Sequence, residues 1–196
     1  MVGIDQLEES AAKIAREEEM DTFWKLALWQ QFGAAIDMLE NAMRACPDRV
    51  WSDSSKRPEW ASNDVVGFWY LAYHTLFFLD FYLSDSAHGF RPPSPFNLDE
   101  LDPAGLLPER PFTKNELQIY LEHCRQKCRG AIESLTEQKA RERCGIEWLD
   151  ISFAELILYS MRHVQHHAAQ LNLILRQETA AAPRWVAKTK VPITSE

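Results

Sequence analysis

Three of the six histidines fall in one short stretch, Ser160-Met161-Arg162-His163-Val164-Gln165-His166-His167-Ala168-Ala169-Gln170-Leu171. His163 and His167 are four residues apart, so on an α-helix their rings share one face, one turn from each other, and two imidazoles so spaced can grip one metal ion. Leu156, Ser160, Gln170, Leu171 and Ile174 share that face, a mostly apolar stripe that turns both rings toward a core. His166 is turned about 60° from His163 and about 100° from His167, which puts it at the margin. Two ligands leave an ion under-coordinated, and a third must come from another helix. His74 is the candidate. It stands within Phe68-Trp69-Tyr70-Leu71-Ala72-Tyr73-His74-Thr75-Leu76-Phe77-Phe78-Leu79, and its helical neighbours Tyr70, Leu71, Phe77 and Phe78 imply burial.

The opposing reading makes each histidine an ordinary core residue hydrogen-bonded to a neighbouring helix. Three of them would then need three separate polar partners in a core of Phe, Leu and Ile, whereas one cation satisfies all three. Neutral imidazoles favour a borderline first-row ion, Zn²⁺ or Ni²⁺, over Mg²⁺ or Ca²⁺. A three-histidine set also keeps a coordination position open for water or substrate, as catalytic sites do. Gln170, Ser160 and Tyr73 are candidates to support the ligands from behind. No carboxylate is placed as a general base: Asp80 follows His74 by six residues and faces elsewhere, which weighs against hydrolysis. Cys124 and Cys128 are also four apart, but they continue an apolar stripe and read as packed thiols. His88, in a loop, and His123, on a polar helix face, read as solvated.

At the histidine positions the sequence resembles the DinB/YfiT-like family of metal-dependent four-helix bundles. That family carries one histidine in the second helix and two in the fourth, as H-x-x-x-H running into H-x-G-Q. The counterparts here are His74, then His163 and His167 with Gln170 following. Ala168-Ala169 stands where the family often has Arg-Gly, which removes a small-residue approach point but no ligand. The resemblance spans roughly Asp21 to Arg176. It implies a bundle with a crossover connection and a metal held by His74, His163 and His167. Characterised members of the wider superfamily include metal-dependent transferases that use low-molecular-weight thiols such as bacillithiol or mycothiol. The resulting expectation is a thiol transferred onto a small electrophilic molecule, with no catalytic side chain assigned beyond the ligands. The alternative is a non-catalytic, metal-stabilised or metal-sensing bundle, a homodimer through an exposed helix face; a metal-dependent hydrolase stands behind both.

With 196 residues, 46% of them hydrophobic and 26% charged, the chain can bury one good core and is short for two, so a single domain over 1–196 is expected. A formal charge of −8 opposes binding to nucleic acid, which depends on neutralising phosphates. Four cysteines in a chain of this length are expected as reduced thiols rather than a disulfide scaffold. Met1 to Met20 is acidic and shows no apolar signal region, so the expected location is cytoplasmic. Val65 to Leu79 lacks any carboxylate, Lys or Arg, yet it is shorter than the roughly 20 residues that span a bilayer, and a helix apolar nearly all round suits the middle of a bundle.

The elements that must position the histidines follow from periodicity and punctuation. Residues 1–20 form a leading amphipathic helix or extension, with Leu7, Ala11, Ile14 and Ala15 at helical spacing. The bundle, 21–177, begins at an Asp21 or Thr22 cap. Its first helix shows Trp24, Leu28, Phe32, Ala35, Ile36, Leu39 and Met43 on one face and stops near Cys46, before Pro47. Trp51 and Trp60 anchor the following connection. Ser62 or Asn63 caps a second helix that runs to Tyr82 or Leu83. Pro92, Pro93, Pro95, Pro103, Pro108 and Pro111 exclude a continuous helix from Ser84 to Phe112; a stretch this long either covers a site or straps parallel helices together. Thr113 and Glu116 form a capping box for the third helix, whose buried face is Leu117, Tyr120, Leu121, Cys124, Cys128, Ala131, Ile132 and Leu135. After a turn at Arg141 to Gly145, Asp150 or Ser152 starts the fourth helix, which reaches Gln177. The tail, 178–196, docks through Trp185. The expected fold class is all-α, a four-helix bundle with a long crossover between its second and third helices.

Overall fold

Pro47 ends the first long helix as expected, but the helix begins much earlier than an Asp21 or Thr22 cap would allow. A computed structural model describes residues 4–53, 67–84 and 86–194, with side chains from residue 22 onward. In it α1 runs without a break over Ile4–Ala45. No Gly or Pro interrupts the sequence from Ile4 to Gln31, and its Ala, Glu, Lys and Arg residues favour the helix, so a capping side chain alone does not stop it. The expected leading helix and first bundle helix are therefore one element.

The short α2, Asp48–Trp51, follows, and the Trp51 indole N–H donates to the Phe112 carbonyl at 2.8 Å. Trp60, Ser62 and Asn63 lie outside the described residues. The next helix, α3, covers Phe68–Tyr82 with Gly67 as its N-cap, later than the expected cap. A Cβ on Gly67 would sit 2.9 Å from the Asp53 carbonyl oxygen, so the close approach of two backbones requires glycine there. Between α3 and α4, Lys114–Glu133, the described residues are irregular except for one 3₁₀ turn, Asp99–Leu101. The Thr113–Glu116 capping box is present. A five-residue α5, Glu137–Arg141, capped by Thr136, occupies the approach to the turn and is not evident from periodicity. Finally, α6 spans Phe153–Thr179 with Ser152 and Glu155 as its capping box, and it stops at Ala180 in a left-handed conformation. The described residues are all-helical apart from one isolated bridge, Arg143 to Ser152.

Each long helix packs mainly on two others: α1 and α3 both contact α4 and α6, and touch each other little. Side-chain pairs give the directions. Arg125 of α4 meets Asp37 and Glu40 of α1, while Lys114 meets the Cys46 carbonyl, so α1 and α4 are antiparallel. Along α3 and α4 the contacts advance together, from Trp69 beside Phe112 to Asp80 beside Lys127. On α6 they run in reverse, with Tyr82 beside Tyr159 and His74 beside His167. The core between the helices holds fully buried Trp29, Phe32, Trp69, Tyr73, Phe77, Phe81 and Tyr120, each worth about 1.5–3 kcal/mol by the usual area relation. Cys124 and Cys128 sit in it as expected, and burial pushes both thiols well above their ordinary range. Ala131 and Leu135 are only half-buried, since α4 is ending there.

Two aromatic expectations change. Trp24 is 62% exposed, and Trp29 is buried instead. Lys25 donates to the Glu133 carbonyl at the end of α4, so α1 upstream of that level has lost this neighbour. Trp185 is 70% exposed and does not dock the tail. The tail is held by backbone groups: the Trp29 indole donates to the Val191 carbonyl at 2.8 Å, and the Thr189 amide donates to the Gln30 carbonyl at 3.0 Å. Thr189 packs where a Cβ on Gly33 would lie 2.5 Å from its methyl carbon. No helix among the described residues is long and apolar enough to cross a membrane.

The polar interior also ties helices together. Arg125 is nearly buried and forms 2.6 Å bonds to Asp37 and Glu40. Removing one partner from such a cluster leaves the others desolvated and unpaired, which typically costs about 3–5 kcal/mol. Arg125→Ala is therefore expected to lower the unfolding free energy by about that amount; urea denaturation followed by circular dichroism measures it.

Candidate metal centre

Antiparallel packing of α3 on α6 brings the three predicted ligands to one place. Moving along α3, Tyr82 lies against Tyr159 (ring centroids 5.2 Å), Phe78 against His163 (5.8 Å) and His74 against His167 (5.0 Å). The Phe78 ring also packs on His74 at 4.8 Å. His163 and His167, one turn apart on α6, have ring centroids separated by 4.5 Å. All three histidines are half-buried rather than enclosed, and His166 is exposed at the edge as the helical spacing predicts. His88 is exposed, as expected. His123 is exposed too, but it is not merely solvated: its Nε2 lies 3.3 Å from the buried Asp80 carboxylate.

One ring nitrogen from each of His74, His163 and His167 falls within 4.8 Å of the other two. The Nε2 atoms of His163 and His167 are 3.1 Å apart. Two nitrogens bound tetrahedrally to zinc at its usual bond length stand about 3.3 Å apart, so this pair already has the separation of ligands to one ion. The far sides of two rings are held. The His167 Nδ1–H donates to Gln170 Oε1 at 2.6 Å, and the His74 Nδ1–H donates to Glu100 Oε2 at 2.8 Å. Each bond fixes the tautomer that leaves Nε2 as the free donor atom, which is how supporting groups orient metal ligands. The donor set and its spacing fit a first-row divalent ion.

Glu100 is the residue that the sequence did not reveal. It sits in the 3₁₀ turn of the connection between α3 and α4, and its side chain is only 5% exposed. The Pro-rich segment carries no periodicity from which its direction could be read. Its flanking acidic residues, Asp99 and Asp102, look equally suitable in sequence. Of the supports that sequence suggested, Gln170 engages His167. Ser160 Oγ and Tyr73 Oη are buried without a hydrogen-bond partner, as are His163 Nδ1 and Glu100 Oε1. Buried polar atoms are nearly always satisfied in native proteins. Four of the five such atoms among the described residues belong to a candidate ligand, to its partner, or to residues within three positions of one; the fifth, Asn172 Oδ1, lies five residues beyond His167 on α6.

The sequence model of the DinB superfamily matches residues 31–171. The chain belongs to the DinB superfamily. The match takes in α3, α4, all three histidines of α6 and Gln170, and it leaves the tail outside. Neither a curated protein nor a solved structure matches the chain.

Burial governs the titration of this DinB-superfamily site. It pushes His163 from 6.5 down to about 3, with the neighbouring His167, His74 and His166 adding like-charge repulsion. His167 falls to about 4 for the same leading reason, although its bond to Gln170 pulls the other way. Both rings are therefore neutral and ligand-ready at pH 7. Burial first, and the Glu100 charge next, push the phenols of Tyr70 and Tyr73 up, so they remain protonated.

Two outcomes follow. Without metal, the folded state resists protonating His163 and His167 while the unfolded chain takes up those protons near pH 6.5, so unfolding binds protons below that value. Stability of chelator-treated protein should be level above pH 6.5 and fall between pH 6.5 and 4.5; urea midpoints across that window test this, and a His163→Ala, His167→Ala double variant should show a flatter profile. The second concerns Glu100. Losing a group that orients a metal-bound histidine costs about 10- to 100-fold in affinity. Glu100→Ala should weaken zinc binding by that factor in a competitive chelator titration, and Glu100→Gln, which keeps an acceptor for His74, should weaken it less.

Proposed function

We propose that the chain is a DinB-type four-helix bundle in which His74, His163 and His167 hold Zn²⁺ or Ni²⁺, and that it transfers a low-molecular-weight thiol onto a small electrophilic molecule. The observation that carries the metal reading is the convergence of three histidine nitrogens within 4.8 Å, two of the rings being oriented from behind by Glu100 and Gln170. The bundle reading is supported by the pairing of α1 and α3 with both α4 and α6. The parallel course of α3 and α4 supports a crossover, because a 29-residue connection from Ser84 to Phe112 is needed to return the chain to the starting end.

Such an ion supplies Lewis-acid chemistry, lowering the pKa of a thiol or water bound to it. The protein's own groups prepare the surroundings. Glu100 and Gln170 hold the protons of His74 and His167 on the outward nitrogens, so the inward ones stay unprotonated. Phe78 and Tyr82 line the ligands with apolar surface, which limits water and strengthens electrostatic contacts within the site. In the transfer, the thiol S–H bond breaks, a new S–C bond forms to the electrophile, and the displaced group leaves with the electron pair of its former bond while solvent takes the thiol proton.

A second reading has its own support. The site joins α3, α6 and, through Glu100, the long connection, so an ion there would lock three segments and stabilise the fold without catalysing anything. Hydrolysis is the lesser reading. Glu100 is bound to a ligand histidine rather than turned toward a water position.

Metal content by plasma mass spectrometry should give near-stoichiometric zinc or nickel for the wild type and none for folded His74→Ala, His163→Ala or His167→Ala proteins. Cobalt substitution then separates the readings. A visible spectrum that shifts on adding 2-mercaptoethanol supports an open, thiol-accepting position; a spectrum unmoved by thiol supports the structural role. A reconstituted, desalted wild type that retains no metal would overturn both.

A further inference from the structure

His163 belongs to two stripes of α6. One runs through His167 and Gln170 and faces α3. The other is Tyr159, Arg162, His163 and His166, which together line a shallow surface cavity of about 280 Å³, broadly open to solvent. That volume is near the lower end for small-molecule sites. A ligand resting in it lies against both Arg162 and one histidine of the triad.

Arg162 is exposed and pairs with none of the described residues. Its surroundings keep it that way. The chain carries 29 acidic residues, yet α6 has none between Glu155 and Glu178. Glu155 is committed to the Ser152 cap and Glu178 to Arg49. Other arginines of the fold are mostly held: Arg125 by Asp37 and Glu40, Arg110 by Glu116, Arg141 by Glu137 and Arg143 by Asp150. Arg176 and Arg184 likewise have no ion pair among the described residues, so what sets Arg162 apart is its place in the cavity beside His163. A guanidinium offers a planar fork of donors that matches a carboxylate.

We infer that Arg162 is a specificity residue that grips the carboxylate of a small organic anion whose other end reaches the triad. The inference rests on the metal reading above and names the class of molecule the site prefers. Tyr159 and His166 form the walls of the same cavity, and the acidic remainder of the surface does not compete at this point. The carboxylate can belong to the thiol or to its electrophile.

The test uses two thiols that differ only in charge, 3-mercaptopropionate and its methyl ester, titrated into the cobalt-loaded full-length protein and followed by the thiolate-to-cobalt absorption. The wild type should bind the acid about tenfold more tightly than the ester, the size of one charge-assisted contact at a half-open site. Arg162→Gln should abolish that preference and leave the ester's affinity unchanged; Arg162→Lys should retain part of it. Equal binding of acid and ester by the wild type would overturn the thiol as the carboxylate source. Propionate, added as competitor for the ester in the same protein, then reports an electrophile-borne carboxylate, and the absence of an Arg162-dependent effect there would overturn the inference altogether. Failure of cobalt uptake would sink the metal reading separately. Arg162 is then probed in metal-free protein by following the His163 and His166 ring resonances during propionate titration. Shifts lost in Arg162→Gln support the anion site, and no shift overturns it.

Discussion

Helix α3 has almost nothing to offer water, and the molecule is arranged around covering it. Twelve of its fifteen residues are buried. The three that are not, Leu71, His74 and Phe78, are three and four apart and so form one line along the helix. That line is the seam left where α6 and the long connection meet over α3. His74 therefore occupies the one strip of the most apolar helix where a polar ring can remain beside solvent and still face another helix. The antiparallel approach of α6 then decides which of its residues arrives opposite, and it is the His163–His167 pair.

The two kinds of polar interior differ in how they are resolved. Away from the histidines, buried charge is fully engaged. Arg125 has two acidic partners on α1, and Asp80, 1% exposed, is met by Lys127, Tyr120 and His123. These clusters join α4 to α1 and α3, and their geometry is complete within the protein. Around the triad the opposite holds, with a tyrosine hydroxyl, a serine hydroxyl, one imidazole nitrogen and one carboxylate oxygen unsatisfied. A fifth, Asn172 Oδ1, lies further along α6; because desolvated polar atoms without partners cost free energy, the four near the triad mark where the fold leaves capacity for something besides itself.

Much of this was legible in sequence because it is local. The capping box at Thr113–Glu116 is set by residues three apart and formed, and Ser152, one of the two caps expected for the last helix, is the one used. The spacing of His163 and His167 fixes their common face whatever surrounds them. Pro47 stops α1 by sterics that need no tertiary context. The misses share the opposite character. Whether Trp24 or Trp29 is buried depends on where α4 ends, and the tail is docked largely through its own backbone carbonyls, held by Trp29 and Gln31 side chains, which no side-chain pattern of the tail announces. Asp21 and Thr22 were good caps in isolation, yet unbroken helical propensity on both sides prevailed. Glu100 was invisible for the strongest version of this reason, since an irregular, proline-rich connection has no period from which the direction of a side chain can be read.

The connection between α3 and α4 touches both the core and the candidate site. Its described residues lie between the end of α3 and the start of α4, two helices whose contacts advance in the same direction. Phe90, Phe96 and Phe112 settle into the core on the way, with Phe96 stacked on Tyr120 at 4.3 Å and on Tyr73 at 5.8 Å. Those anchors fix the path closely enough that the 3₁₀ turn between Phe96 and Phe112 is carried to His74, where Glu100 meets the imidazole. The carboxylate that holds the His74 ring is thus delivered by the same segment that joins α3 to α4. Aromatic packing of the connection and the geometry of the histidine site therefore depend on one segment.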